Sequence, residues 1–556
     1  MNMKFKKYVL VSLIGISSLF YISATTGQVD YFEVSKNIDI FVSLFKELNV
    51  FYVDKIDPST VIRKGIDAML ESLDPYTEFY SEAETEDFRA ETTGKYGGVG
   101  SVISQRGEFV YIEDPYEEMP AYKAGLRIGD KITEIDGKSM KSKATGDISK
   151  LLKGTAGTKV KVTIMRMQAD GTEKKMDFEI LRQEIKLKSI PYAGLASPNI
   201  GYITLNSFTD NAGNEVREEL KKLKKDNNLE GVILDLRSNP GGLLHEAVNL
   251  SNVFLDQDIE IVSTKGKIAE WNKTYRTQQR AEDNKIPLVI LTNGASASAS
   301  EIVSGAIQDY DRGVIVGGKT FGKGLVQQTR PLPYNTQLKV TTSKYYIPSG
   351  RCIQAINYAE KNPDGSVKKI PDSLKVAFKT KGGRVVYDGG GIDPDIKTKK
   401  EYYHDITVAL ITKGLIAEFA NDYILKNPKP ANANQYNFTD ADFEKFTKFI
   451  QSKKFEYDSD LEKPLKALKA KAEDEKSFEI LKSQFEALSQ KIKESKNQQL
   501  QLNKKDITDL IEGEIIRRYY SRKDQTERGF THDEDIKAAI KLIKNPTEYQ
   551  SLLKKQ

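Results

Sequence analysis

Asn293–Gln328 reads NGASASASEIVSGAIQDYDRGVIVGGKTFGKGLVQQ, and the fold and chemistry of the chain turn on it. The preceding run, Pro287 to Leu291, is short, apolar and partly β-branched, which predicts a buried strand of a parallel sheet rather than a helix. A turn of small residues follows. From Ser298 the spacing becomes helical, with Ile302, Val303 and Ile307 on one side and Ser298-x-x-Glu301 as a capping box at the start. Val314 to Val316 predicts the next strand. A serine at such a turn serves equally well as a plain N-cap or as a nucleophile beside backbone N–H groups that stabilise negative charge.

Lys323 separates these two readings. It lies 25 positions after Ser298, in Phe321-Gly322-Lys323-Gly324, where glycines bring backbone close and a flanking apolar strand desolvates the amine. Burial lowers a lysine pKa, the condition for a lysine to act as general base. The chain has three histidines; His404 and His532 fall far downstream in a helical region, so His245 is the competing base. A serine-lysine pair is a known variant of serine nucleophile chemistry.

With these residues in view, the stretch resembles the active-site region of the C-terminal processing peptidases, or tail-specific proteases. The resemblance implies that Ser298 in SASASE is the nucleophile, Lys323 in TFGKG the general base, and Gln327 the residue that orients the lysine. Asp309 also occupies a family position, but at roughly 1.5 Å per residue it would lie about 16 Å along the helix from Ser298, so its expected role is structural. Gly313-x-x-x-x-Gly318-Lys319-Thr320 satisfies the phosphate-loop pattern. Three strand formers, Val314 to Val316, occupy its variable positions and no helix pattern follows, so a nucleotide site is not expected.

At 556 residues the chain has room for three to four domains. Its 84 lysines and arginines nearly balance 79 acids, and no basic face with interleaved aromatics is present, which argues against nucleic-acid binding. A single cysteine, Cys352, excludes intrachain disulfides and structural zinc clusters. At the N-terminus, Lys4, Lys6 and Lys7 precede the apolar run Tyr8–Ala24, the layout of an export signal, with a retained membrane anchor as the alternative. No cysteine follows for lipid attachment.

Residues 29–94 read as helices, with stripes such as Ile38, Phe41, Leu44 and Phe45 as packing faces. Residues 95–186 change to short strands around glycine turns, and the Ala124-Gly125-Leu126 to Ile135-Asp136-Gly137 run resembles a PDZ domain. Such domains add a peptide as an extra strand and hold its terminal carboxylate in a loop of N–H groups, here expected at Gly97, Gly98, Val99 and Gly100. Residues 187–400 are the expected protease core. Its strand Val232–Leu236 ends in Arg237-Ser238-Asn239-Pro240-Gly241-Gly242, and the resemblance implies an oxyanion hole from the backbone of Gly241 and Gly242 with that of Ala299.

Tyr345–Arg351 and Val386–Asp395 also resemble family segments. Residues 401–556 are helical and charged with both signs mixed, and serve equally as a partner platform or a structural appendage. The expected architecture is therefore multidomain α/β: export signal or anchor (1–28), helical N-terminal region, PDZ domain, crotonase-like α/β core and helical C-terminal extension. The expected function is a serine endopeptidase acting on protein substrates with accessible C-termini, needing no metal or cofactor. The resemblance leaves open an adaptor protein and a homodimer, and membrane contact is expected only through an uncleaved N-terminal segment. The rival reading is a catalytically idle PDZ scaffold that only holds protein tails.

Overall fold

A computed structural model describes residues 31–85, 92–361, 367–398 and 403–554. The export segment expected at 1–28 lies outside them. Among the described residues no helix is long and apolar enough to cross a membrane. The chain divides into two compact units, one ending at Phe79 and the other starting at Tyr80. The first contains helices Tyr31–Phe51 and Pro58–Glu71. Asp57 caps the second, accepting from Ser59 N–H at 3.1 Å, and Pro58 occupies its first position, where a missing N–H costs nothing.

Within the larger unit, residues 95–186 form an antiparallel sheet in the order 101–106, 109–115, 131–135, 159–167, 173–181, with helices Pro120–Ala124 and Thr145–Leu152 packed on it. Alternate residues of these strands, Val110, Ile112, Ile132, Val160, Val162 and Ile164, close an independent core. Ser101–Arg106 is an edge strand. Gly97 and Gly98, expected in the carboxylate-binding loop, instead end a strand, Lys95–Gly98, that pairs with Gln183–Lys186. The turn itself is Val99–Gly100, because strand pairing claims the residues before it.

The central sheet has six strands: β1 (Tyr192–Ser197), β2 (Ile200–Thr204), β3 (Gly231–Asp235), β4 (Leu288–Thr292), β5 (Val314–Gly317) and β6 (Ile396–Lys397), in that order. β1 is antiparallel to β2 and the rest are parallel. Helices α1 (Ala212–Asp226), α2 (Leu244–Phe254) and α3 (Ala299–Asp309) connect β2 to β5. Right-handed crossovers between strands taken in sequence order put all three helices on one face. Side chains alternate accordingly: Ile203, Val232, Leu234, Leu288, Ile290 and Ile315 meet α1 to α3.

A parallel sheet needs both faces covered. The C-terminal segment supplies the second cover: α4 (Arg522–His532), α5 (Glu534–Ile543) and α6 (Pro546–Leu552) bring Phe530, Ile536, Leu542, Ile543 and Tyr549 against Ile200, Tyr202, Ile233, Val289, Leu291, Val314 and Val316. The contact is close, since a Cβ at Gly231 would lie 2.5 Å from Ile543. Arg237 pins the start of α5 through Asp533 (2.7 Å) and Asp535 (2.9 Å). The region read as one helical extension therefore joins two cores. Helices Asp405–Thr412, Leu415–Lys426, Asp440–Ser452 and Lys504–Tyr519 enclose a separate one around Phe419, Phe446 and Ile511. Within the charged region, Lys476, whose φ is +57°, separates helix Glu462–Asp474 from helix Phe478–Leu502.

Candidate active site

Ser298 stands at the N-cap of α3 with φ 55° and ψ −113°, a conformation that costs a non-glycine residue on the order of 1–3 kcal/mol. What holds it there is Glu301. This carboxylate is fully buried and accepts four hydrogen bonds: Ser298 N–H (2.9 Å) and Lys323 N–H (2.9 Å) on Oε2, Gly322 N–H (2.7 Å) and Thr320 Oγ1–H (2.6 Å) on Oε1. One side chain thus ties together the backbone of both residues read as catalytic. Burial pushes its pKa up to about 7, while the Thr320 hydroxyl and the three N–H groups pull the other way. Tyr345, also buried, completes the join from the carbonyl side. Its hydroxyl donates to Lys323 C=O and lies 3.2 Å from Ser298 C=O.

The glycines beside Lys323 have a steric cause. Gly322 has φ +91° and a Cβ there would stand 2.4 Å from Ala355 Cβ, so larger residues are excluded. Lys323 is half-buried and, like Ser298, lines a cavity of ≈ 1120 Å³. Gln327 lines the same cavity and sits at a register shift between Leu325–Leu332 and Thr336–Tyr346, where its amide nitrogen donates to Thr341 Oγ1 at 3.1 Å.

Gly241, Gly242 and Ala299 line the cavity too. Gly241, at φ +102°, lets the loop press on the serine: a Cβ there would lie 2.8 Å from Ser298 Cβ. Its N–H, however, donates to Asn239 Oδ1 at 2.9 Å, so Gly241 is not an open donor. Among the described residues the N–H groups of Gly242 and Ala299 have no protein acceptor. Fully buried Asn239 wires this loop to the serine turn, accepting from Ala297 N–H (3.0 Å) and Ser300 Oγ (3.0 Å) on its carbonyl and donating to Leu205 C=O (2.7 Å). Of the three backbone donors, Gly242 N–H and Ala299 N–H, the latter at the positive end of α3, are thus the ones open to a negatively charged group.

His245 is 59% exposed on α2 and lies outside the cavity lining, with Nε2 3.5 Å from Glu246. Among the described residues Asp210, His245 and Glu246 form the one grouping with ligand atoms within 4.8 Å of each other. Glu246 already accepts from Gly213 N–H (2.8 Å) and Asn249 Nδ2 (3.0 Å), joining α1 to α2. Asp309 is buried at the far end of α3, paired with Arg351 at 2.8 Å and accepting from Ser349 N–H. Gly313–Thr320 contains strand β5, and no helix follows it, so it lacks the phosphate-loop geometry. Burial pushes the Cys352 thiol up, away from the reactive thiolate.

The Val99–Gly100 turn lies one side chain from the cavity: a Cβ at Gly100 would meet Met119 Cβ at 2.7 Å, and Met119 and Tyr116 line the cavity wall. At the same wall this domain meets the C-terminal helices. Glu113 accepts from Arg517, from Arg106 (2.5 Å) and from Ser104 (2.7 Å), and Arg522 pairs with Asp114 and covers the Tyr116 ring at 5.1 Å. Burial alone would raise the Glu113 pKa; its hydrogen bonds and the neighbouring guanidinium charges win and hold it to about 2.

Two members of the site were not singled out as functional from sequence. Glu301 was visible as a capping residue, and the same spacing signals its nearness to Ser298. Tyr345 lies 47 positions away, in the Tyr345–Arg351 segment that resembles the family, where nothing in the spacing ties it to Ser298.

The family described as Peptidase family S41 matches residues 199–367, a PDZ domain family matches 111–166, and the family described as probable PDZ-protease, C-terminal helical domain matches 406–543. The chain is 36% identical over 346 residues to the carboxy-terminal-processing protease of Bartonella bacilliformis, spanning 61% of this chain and 77% of that protein. It is 33% identical over 438 residues to the probable CtpA-like serine protease of Staphylococcus aureus, spanning 78% and 85%. Among solved structures, the photosystem II D1 C-terminal processing protease aligns with 25% identity and a TM-score of 0.36, over 65% of this chain and 92% of that one.

Proposed function

The chain belongs to the carboxy-terminal-processing proteases of peptidase family S41, and from that premise we propose that it is a serine endopeptidase whose nucleophile is Ser298 and whose general base is Lys323. The observation that carries the assignment is the double join of the two residues, by Glu301 through their N–H groups and by Tyr345 at their carbonyls. Ser298 Oγ attacks the substrate carbonyl and Lys323 Nζ takes the hydroxyl proton. Gly242 and Ala299 N–H groups meet the oxyanion, the lysine returns the proton to the leaving amine as the C–N bond breaks, and water that gives its proton to the lysine then hydrolyses the acyl-enzyme and restores Ser298. Gln327, held by Thr341, orients the lysine. Substrate tails add to the edge strand Ser101–Arg106, with the terminal carboxylate at Val99–Gly100.

Ser298→Ala and Lys323→Ala each abolish proteolysis of casein with unchanged unfolding midpoints, and His245→Ala keeps most activity. A folded, inactive His245→Ala together with an active Lys323→Ala would contradict the assignment and favour histidine chemistry. Inactivity of the wild-type chain toward every protein tried would favour the idle scaffold instead.

We also propose that the protein works outside the cytoplasm, in the periplasm of a cell with two membranes, either freed from or anchored by its N-terminal segment. The support is the lysine-then-apolar start of the sequence. Protease added to spheroplasts digests the C-terminal helices; their protection alongside a cytosolic marker would contradict it. An adaptor protein and a homodimer remain part of this proposal as partners, testable by co-purification and by sedimentation.

A further inference from the structure

The charged residues lining the cavity are Lys186, Lys188, Lys323, Lys339, Arg522 and Lys523 against one acid, Glu117, in a chain whose totals are 84 and 79. Lys323 is set aside, since its proposed role requires a neutral amine. The other five come from three separate parts of the fold: Lys186 and Lys188 from the strap leaving the PDZ domain, Lys339 from the antiparallel sheet beside the cleft, and Arg522 and Lys523 from the first turn of α4. Lys186 and Lys188 are exposed. Arg522 is paired with Asp114, Lys339 stands 5.9 Å over the Tyr80 ring, and Lys523 faces Glu527 at 3.8 Å across an exposed helical step, where such a pair neutralises little.

The position of Arg522 and Lys523 runs against local preference. A helix N-terminus is already positive and favours acids, yet two cations stand there, with Ser521 and Asp524 closing the cap behind them. Local conflicts of this kind concentrate at functional sites. Like charges around a concave, low-dielectric cleft focus the potential inside it and raise the local concentration of a ligand of opposite sign.

We propose that this lining selects substrates whose cleft-bound segment, upstream of the tail held by the PDZ domain, carries aspartate or glutamate near the scissile bond. The inference rests on the serine-protease reading and adds the chemical class of the segment that is cut.

The test uses three peptides with one scissile bond and one free C-terminus, differing only in carrying two Glu, two Gln or two Lys beside that bond. At low salt, kcat/KM falls in the order Glu, Gln, Lys, with at least tenfold between the ends, and the spread shrinks severalfold in 0.5 M NaCl as charges are screened. In the Lys186→Glu/Lys188→Glu variant, whose substituted side chains are exposed, the Glu peptide loses its lead over the Lys peptide. Equal values for the three peptides, or an order unchanged by both salt and charge reversal, would overturn the selection while leaving the protease reading intact. Cleavage of none of them would overturn the protease reading, and this inference with it.

Discussion

At the scale of single residues, Glu301 holds the two halves of the site together. The two oxygens of a carboxyl group offer lone pairs to four donors at once, and the two halves of the proposed dyad share this one. Glu301→Gln keeps the shape but turns an amide N–H₂ toward two of those donors. Each buried donor left unmet costs about 1–3 kcal/mol, so the variant is expected to lose at least ~2 kcal/mol of stability and about a hundredfold or more in kcat. The pH dependence has a definite sign. With the folded-state pKa raised to about 7, the folded protein keeps a proton that the unfolded chain releases near the ordinary 4.5. Its contribution to stability is therefore largest below 4.5 and declines as pH rises toward 7. Denaturant titrations at pH 5, 6 and 7 should show this decline in wild type and its absence in Glu301→Gln; parallel slopes would contradict the assignment.

At the scale of elements, much of the architecture was legible because periodicity reports local structure directly. The strand expected at Pro287–Leu291 is Leu288–Thr292, and the helix expected from Ser298 is Ala299–Asp309. The 25-residue step from Ser298 to Lys323 was legible too, since it spans one helix, one strand and a glycine turn. What periodicity does not give is the partner of an apolar face. Ile507, Ile511 and Ile515 recur at helical spacing and lie in the helical core, whereas Leu542 and Ile543, from the same charged region, cover the central sheet. Nor does a glycine cluster reveal which of its residues a strand or a neighbouring side chain claims, as Gly97, Gly98 and Gly241 illustrate.

The covering role predicts what truncation does. Removing 504–556 uncovers seven apolar side chains on the sheet, from Ile200 to Val316, at about 1.5–3 kcal/mol each. The sum of ~10 kcal/mol or more matches the whole stability of a typical domain. The truncated chain is therefore expected to be insoluble or unfolded by circular dichroism. A soluble, cooperatively unfolding 1–503 chain would show that the C-terminal helices are an appendage after all.

At the scale of the Tyr80–Gln556 unit, the PDZ domain and the C-terminal helices together wall the cavity that holds Ser298. Tyr116, Glu117 and Met119 come from one, Arg522 and Lys523 from the other, and the Glu113–Arg517 and Asp114–Arg522 pairs join them. Binding a tail on the same body as the dyad raises the local concentration of the scissile segment without any new contact at the bond itself. The central claim is that proteolysis is coupled to recognition of a free C-terminus. Its most direct test is kcat/KM for a matched peptide pair that differs only in a free or an amidated C-terminus. Amidation removes the charge that the Val99–Gly100 turn would bind, and a hydrogen bond to a charged group is worth about 1.5–3 kcal/mol, so the free peptide should be favoured roughly tenfold or more. Equal values for the two peptides would contradict tail recognition and leave a serine endopeptidase that takes its substrates through the cleft alone.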